Sequence, residues 1–318
     1  MIYLSGNNEV MAKIILYENM RAIPYVPFYL AHEHGFFSAE GIEVDLRLSP
    51  STTETPRAIL NGRADVAWGG PMRVMMHHDA DRVCPLVCFC QVVARDPFLL
   101  IGRTPNQNFQ FSDLSELRIG VASEVPTPEM TFQDDLKRAG INPSSLAWET
   151  RLTMEENVAA LRQGNLDVVQ IFEPYADDLI TNGEGHLWHR FSSRGDIAYT
   201  TFYTTRQFVE SQWETCVGLT RAIARTQKWL RENSGEAVAK IVSKYFPSLT
   251  HERIAHMINS YQLAKLWAES PELPAAAFVR LKASLLSGGL ISYDAPYHQV
   301  VVAGLSDPAI WRSTTQME

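Results

Sequence analysis

Gly62-Arg-Ala-Asp-Val-Ala-Trp-Gly-Gly-Pro-Met-Arg73 is the stretch on which the fold of this chain turns. Ala64–Trp68 reads as a short buried strand, and Gly69-Gly70 as a sharp turn with approachable backbone. Pro71 suits the first position of a helix, where no backbone N–H is needed. A strand running through glycines into a helix start builds a ligand cradle at the carboxyl edge of a parallel sheet. Arg73 falls in that helix's first turn, where the dipole disfavours a cation. Either it splays into solvent in a surface ion pair, or something negative holds it.

Strand and helix alternate outward from this point. Lys13–Tyr17, Ile42–Leu48, Asp65–Trp68, Pro85–Ala94 and Phe98–Gly102 read as strands, the second by strict apolar–polar alternation. Val26–Phe37, Thr55–Asn61 and Met72–His78 read as helices. The polar stretch Thr104–Ser115 reads as a crossing into a second lobe with strands at Leu117–Val121, Trp148–Leu152, Val168–Phe172 and Leu187–Phe191. Its helices are Pro128–Ala139, a segment opened by the capping box Thr153-Met-Glu-Glu156 and running to Gln163, and Pro174–Ile180. Ser192-Ser-Arg-Gly195 marks a second crossing, Ala198–Thr204 returns the chain to the first lobe, and the remainder is helical. The expectation is an α/β clamshell of two mixed sheets flanked by helices, with a helical C-terminal tail. Lobe 1 takes residues 11–104, lobe 2 residues 105–195, and residues 196–318 supply the return strand and C-terminal helices. The cleft collects the carboxyl ends of strands from both lobes.

A chain of 318 residues with 46% apolar and 20% charged residues has ample core for two lobes. Its net charge of −8 argues against nucleic acid or an anionic membrane as partner. No apolar run approaches a membrane span. Met1–Val10 has neither the basic region nor the apolar stretch of a secretory signal. A cytoplasmic chain, a trimmed signal and a true start at Met11 all stay open. Cys84, Cys88, Cys90 and Cys216 form no disulfide framework; Cys88 and Cys90 are expected on one strand face as free thiols. The pairs His32/His34 and His77/His78 diverge, and the cysteine spacing does not suit zinc, so neither metal nor cofactor is expected. No nucleophile–base pair is identifiable by spacing. Glu173 with His77 or His78 is the one loose acid–base candidate.

Candidate ligand-binding residues follow the strand ends. Tyr25, stiffened by Pro24 and Pro27, could stack on a ligand or merely cover the core. Ser51, Thr52 and Thr53 could bind an anion or cap a helix. Gly69, Gly70 and Arg73 line the cradle, with Trp68 read as core. Ser123 and Thr127 occupy the equivalent position in the second lobe, Thr127-Pro128 as a cap followed by a first helical residue. Glu173, at a helix cap before Tyr175, would point into the cleft and suit an amine or ring edge, complementing Arg73. Tyr199 and Tyr203 are further aromatic candidates that favour a flat organic ligand.

Ile23-Pro-Tyr-Val-Pro-Phe-Tyr-Leu-Ala31, His34-Gly-Phe-Phe-Ser-Ala-Glu-Gly-Ile-Glu-Val44, Asn61-Gly-Arg-Ala-Asp-Val-Ala-Trp-Gly69, Leu117-Arg-Ile-Gly-Val121, Leu161-Arg-Gln-Gly-Asn-Leu-Asp-Val168 and Phe172-Glu-Pro-Tyr175 occur in a telling order. Together they resemble the type II periplasmic-binding-protein fold, in the branch serving uptake of nitrate, sulfonates, taurine and thiamine pyrimidine precursors. The resemblance spans about residues 13–245. It implies a monomeric, non-enzymatic substrate-binding protein that captures a small sulfonate-like, carboxylate or amino-pyrimidine ligand for an ABC permease in the periplasm. One enzyme of that branch, the fungal synthase of the thiamine pyrimidine, uses a pyridoxal-phosphate lysine just after the strand equivalent to Asp65–Trp68. Gly69 stands at that position, and the return strand Ala198–Thr204 lacks the synthase's cysteines. A cytoplasmic enzyme or ligand sensor on the same fold is the alternative.

Overall fold

Two sheets of five strands, each hydrogen-bonded in the same pattern, organise the computed structural model, which describes residues 11–312. Residues 1–10, read above for a secretory signal, and residues 313–318 lie outside the described residues. The first lobe comprises β1 (Ala12–Glu18), α1 (Val26–Glu33), β2 (Ile42–Leu48), α2 (Glu54–Leu60), β3 (Val66–Gly69), α3 (Pro71–Ala80) and β4 (Leu86–Val93). The chain then runs through β5 (Leu99–Gly102), β6 (Arg118–Val121), α4 (Thr127–Arg138), β7 (Ala147–Glu149), α5 (Met154–Arg162), β8 (Val168–Ile171), α6 (Tyr175–Thr181) and β9 (His186–Arg190). It continues with β10 (Thr200–Thr205), α7 (Arg206–Ser211), α8 (Trp213–Glu232), α9 (Gly235–Val242), α10 (His251–Leu263) and α11 (Ala275–Ser287), followed by the short helices α12 (Tyr297–Val300) and α13 (Pro308–Trp311).

Strand order is β2-β1-β3-β10-β4 in one sheet and β7-β6-β8-β5-β9 in the other. The two orders are equivalent, with β10 and β5 in the same place. Each is antiparallel to both neighbours, while the other strands of its sheet run one way. The mixed sheets expected from the sequence are therefore present, but one boundary moves. The strand expected to finish lobe 1 at Phe98–Gly102 pairs instead with β8 and β9 of the second sheet, Leu99 opposite Ile171 and Arg190. The chain crosses between Val93 and Leu99, not at Thr104–Ser115. Which sheet a strand joins is set by its pairing with segments distant in sequence, and local pattern does not specify that choice.

The two crossings are tied together. The buried Arg194 places Nη1 2.7 Å from Asp96 Oδ2 and Nε 2.9 Å from Asp135 Oδ1. Asp96 also accepts from the Phe98 amide at 2.9 Å and the Thr131 hydroxyl at 3.1 Å. Burial raises the Asp96 carboxyl above its usual value, against the pull of Arg194.

β4, Leu-Val-Cys-Phe-Cys-Gln-Val-Val, is buried throughout although it ends its sheet. The C-terminal region covers that edge: the amides of Val302 and Ala268 donate to the carbonyls of Cys88 and Val92, both at 2.9 Å. Covering an edge strand removes a template for unwanted pairing. Against β10 the register slips between Gln91 and Phe89, leaving Cys90 with φ +56°. The regular alternation expected to put Cys88 and Cys90 on one face is thus broken by a bulge. All four cysteines are free thiols. The capping box at Thr153 forms as read, the Glu156 amide donating to Thr153 Oγ1 at 3.2 Å and Glu156 Oε2 accepting from the Thr153 amide at 2.8 Å. Among the described residues no helix is long and apolar enough to cross a membrane.

Candidate functional site

The carboxyl ends of β1 and β3 and the amino ends of β10 and β5 meet at one small cavity between the lobes. Asn19 follows β1, Tyr25 lies in the next turn, and Gly70, Met72 and Arg73 come from the glycine turn and α3. Tyr199 and Thr200 enter β10. The second lobe adds Phe98 before β5, Val125 and Thr127 at the start of α4, and Phe172 after β8. The free volume is about 20 Å³, room for roughly one water molecule. The lobes are shut, and a larger guest requires them to part.

Arg73 dominates the chemistry of this cavity. Its side chain is neither splayed into solvent nor paired with a carboxylate. It is 9% exposed. Its Nη2 donates to Thr52 Oγ1 at 2.8 Å and to the Glu124 carbonyl of the opposite lobe at 3.1 Å. Thr52 Oγ1 donates to the same carbonyl at 2.7 Å, so two residues of lobe 1 fasten one carbonyl of lobe 2. Arg73 Nε has no hydrogen-bond partner. Burial lowers the guanidinium's proton affinity, opposed by Tyr203. Pro71 and Gly70 place it: proline starts α3 without needing a donor, and Gly70 lets the turn pass 3.3 Å (measured from an added Cβ) from the Tyr199 carbonyl.

The walls are aromatic and hydroxylic. Burial pushes the Tyr25 hydroxyl up to about 12, with Asn19 and Thr200 opposing. Tyr203 does not line the cavity but lies behind Gly69, its hydroxyl raised further by burial and offset by Arg73. The Tyr199 and Tyr203 hydroxyls lack partners. Trp68 is fully buried and stacks on Phe28 with centroids 4.3 Å apart, so it is core as read.

The structure therefore brings Tyr25, Thr52, Gly70, Arg73 and Thr127 together. Gly69 lies one residue back, where an added Cβ would sit 3.1 Å from the Tyr203 ring. Thr127 is the first residue of α4, not its cap; Pro126 holds that place. Ser51 is not in the cavity: its hydroxyl serves Thr53 and the Glu54 amide at the start of α2. Ser123 is exposed, its amide bonded to the Leu152 carbonyl. Tyr175 opens α6 half-buried. Glu173 is the largest departure. The helix starts after Pro174, the Glu173–Pro174 peptide is cis, and the carboxylate turns back to accept from the Asp177 amide at 2.7 Å. It lies away from the cavity because that amide, an unsatisfied helix N–H, is its nearest strong donor. His78 is held by the Leu86 carbonyl at 2.9 Å, so the loose acid–base pair with Glu173 is not assembled.

Sequence reasoning missed Asn19, Met72, Phe98, Val125, Phe172 and Thr200. Asn19 and Phe172 were accessible to the rule applied elsewhere, since each follows a strand end. Phe98, like Tyr199 and Thr200, precedes a strand that runs against its neighbours, so the cleft end of that strand is its beginning. Among the described residues no cluster of His, Cys, Asp and Glu is placed to hold a metal.

A family model described as the NMT1-like family matches residues 20–243. A putative binding protein, YtlA of Bacillus subtilis, is 24% identical over 92% of this chain and 88% of its own length. The 4-amino-5-hydroxymethyl-2-methylpyrimidine phosphate synthase of Schizosaccharomyces pombe is 29% identical over 49% of this chain and 43% of its own. Among solved structures, the periplasmic aliphatic sulphonate binding protein SsuA from Escherichia coli superposes with a TM-score of 0.74 at 15% identity, covering 93% of this chain and 98% of that one. The two-lobe binding-protein fold expected from the sequence is the fold observed.

Proposed function

This chain belongs to the NMT1-like family, and from that premise we propose that it is the solute-binding component of an ABC-type importer, closing on a small organic anion of the sulfonate or carboxylate class. One observation carries the reading: a buried guanidinium in the cleft that no carboxylate partners. An unpaired buried charge is costly, and an anionic guest offsets that cost where a neutral one does not. Tyr25, Thr127 and Tyr199 complete the pocket as hydrogen-bonding and stacking walls. The amino-pyrimidine alternative wanted Glu173 as partner for the ring's amino group, and that carboxylate is turned away from the cavity.

Ligand contacts to both lobes would shift the open–shut equilibrium toward the shut form by their greater strength there. No bond need break. Its partner is then a membrane permease, and its place the periplasmic side of the membrane, as the name of the Escherichia coli relative says of that protein. The part-length likeness to the pyrimidine synthase favours an enzyme less, because Gly69 stands where the resemblance puts the cofactor lysine. Titration calorimetry with ethanesulfonate, taurine, propionate, nitrate and 4-amino-5-hydroxymethyl-2-methylpyrimidine tests the reading. Binding of a sulfonate or carboxylate supports it; binding of the pyrimidine alone overturns it.

A further inference from the structure

Glu173 sits in the seam between the second lobe and α10. It is 5% exposed. Its amide donates to the Tyr261 hydroxyl of α10 at 3.1 Å, and that hydroxyl donates to the Pro97 carbonyl in the first crossing at 3.1 Å. Its carboxylate accepts from the Asp177 amide, and Asp177 Oδ2 in turn accepts from Nε and Nη2 of Arg253 on α10, both at 2.7 Å. Arg190 of β9 donates to the Ser260 hydroxyl of α10 at 3.1 Å. Helix α10 packs on α9, and α9 on α1, so α10 is anchored to the first lobe. The contacts from Tyr261, Arg253 and Ser260 to Glu173, Asp177 and Arg190 all join α10 to the second lobe.

We propose that Glu173 is a proton-linked latch on lobe closure: its protonated form favours the shut arrangement and its ionised form favours opening. The inference rests on the clamshell reading above and adds regulation to it. The charged and titratable groups facing Glu173 are Asp177 from α6, Arg190 from β9, and Arg253 and Tyr261 from α10. Arg253 is engaged by Asp177, so an ionised Glu173 meets a neighbouring carboxylate on one side and Arg190 on the other. Burial lifts the carboxyl to about 7 against the pull of the Asp177 amide; the Asp177 charge adds to the rise, and Arg190 and Arg253 oppose it. Parting α10 from α6 admits water and lets the group fall toward its ordinary 4.5. The shut form then holds the proton more tightly than the open form. Closure strengthens as pH falls through 7 and levels off below the ordinary value. Between pH 8 and pH 6 the shut-to-open ratio rises about 10-fold.

Small-angle X-ray scattering of the full chain without added ligand, from pH 8.5 to 5.5, reads this directly. The radius of gyration is expected to contract as pH falls, with a midpoint below 7 set by how far the ionised form favours opening. Glu173→Gln keeps an acceptor for the Asp177 amide and is expected to stay contracted across the range. Arg253→Gln removes an opposing cation together with its seam contact to Asp177 and is expected to displace the midpoint from that of the wild type. A wild-type radius that does not respond overturns the proposal. So does a full response in Glu173→Gln, which would assign the proton to Glu124 or Asp96. Should Glu173→Gln fail to fold, an unmoved midpoint in Arg253→Gln decides against the latch. Because no ligand is added, these outcomes leave the anion-binding reading to stand or fall separately.

Discussion

Replacing Arg73 with methionine keeps an unbranched apolar stem and removes the charge, which separates binding from stability. In the protein without ligand, the substitution loses two hydrogen bonds, to Thr52 Oγ1 and to the Glu124 carbonyl. That carbonyl keeps a donor, because Thr52 still reaches it at 2.7 Å. The loss costs about 2–3 kcal/mol, and removing a buried cation with no counter-charge returns a comparable amount. Net stability should therefore change by no more than about 1 kcal/mol. Binding has no such compensation. An anion enclosed in the shut cleft loses its counter-charge while remaining desolvated, at a cost of about 2–5 kcal/mol. At about 1.4 kcal/mol per decade, affinity falls roughly 30- to 3,000-fold. Calorimetry with whichever sulfonate or carboxylate the wild type binds, alongside urea unfolding of both proteins, measures both halves. An unchanged dissociation constant would refute the assignment of Arg73 to the ligand. A loss of stability beyond about 3 kcal/mol would show instead that the guanidinium holds the fold together.

Gly70→Leu should abolish anion binding with the fold retained: its φ of −72° and ψ of 134° suit any residue, but the side chain would enter the cavity beside the Tyr199 carbonyl and Thr127. Calorimetry showing no heat, with an unaltered circular dichroism spectrum, is the expected pair of results. Asp167 is held well below the usual carboxylate range, chiefly by Arg118 at 2.8 Å, with the Arg118 amide and Arg103 adding to the effect. A depressed folded value means stability that is present above the ordinary 3.8 and lost as pH falls through the lower one. Asp167→Asn should thus cost about 1 kcal/mol at neutral pH, a difference that shrinks in urea curves taken toward pH 2. Ellman's reagent should label the half-buried Cys84 of the native protein first. Cys88 and Cys216, lifted by burial to about 12, and Cys90 should react only after denaturation.

Much of the architecture was legible because its causes are local. Alternation in Ile42–Leu48 follows from a strand with one covered face, Pro71 starts a helix because it needs no donor there, and Thr153 with Glu156 satisfies two amides reciprocally. The glycine turn and Arg73 were legible for the same reason. The helix dipole alone raised the question of what holds Arg73, and it is the residue on which the proposed function depends. Glu173 was misread because a carboxylate at a strand end has two satisfactory partners, a ligand or the helix amides ahead of it. Its neighbours on α10 lie far along the chain, Tyr261 88 residues away.

Residue order alone determined the alternation of strands and helices and the turn that carries Arg73. Which sheet β5 joins, which way β5 and β10 run, and therefore whether Phe98, Tyr199 and Thr200 face the cleft, were decided only when the chain was assembled in three dimensions. The physical reason is that a strand's neighbours and direction are set by pairing energies with distant segments, as are the Asp96–Arg194 bond across 98 residues and the Arg73 bond to the far lobe across 51. No window of sequence contains both partners.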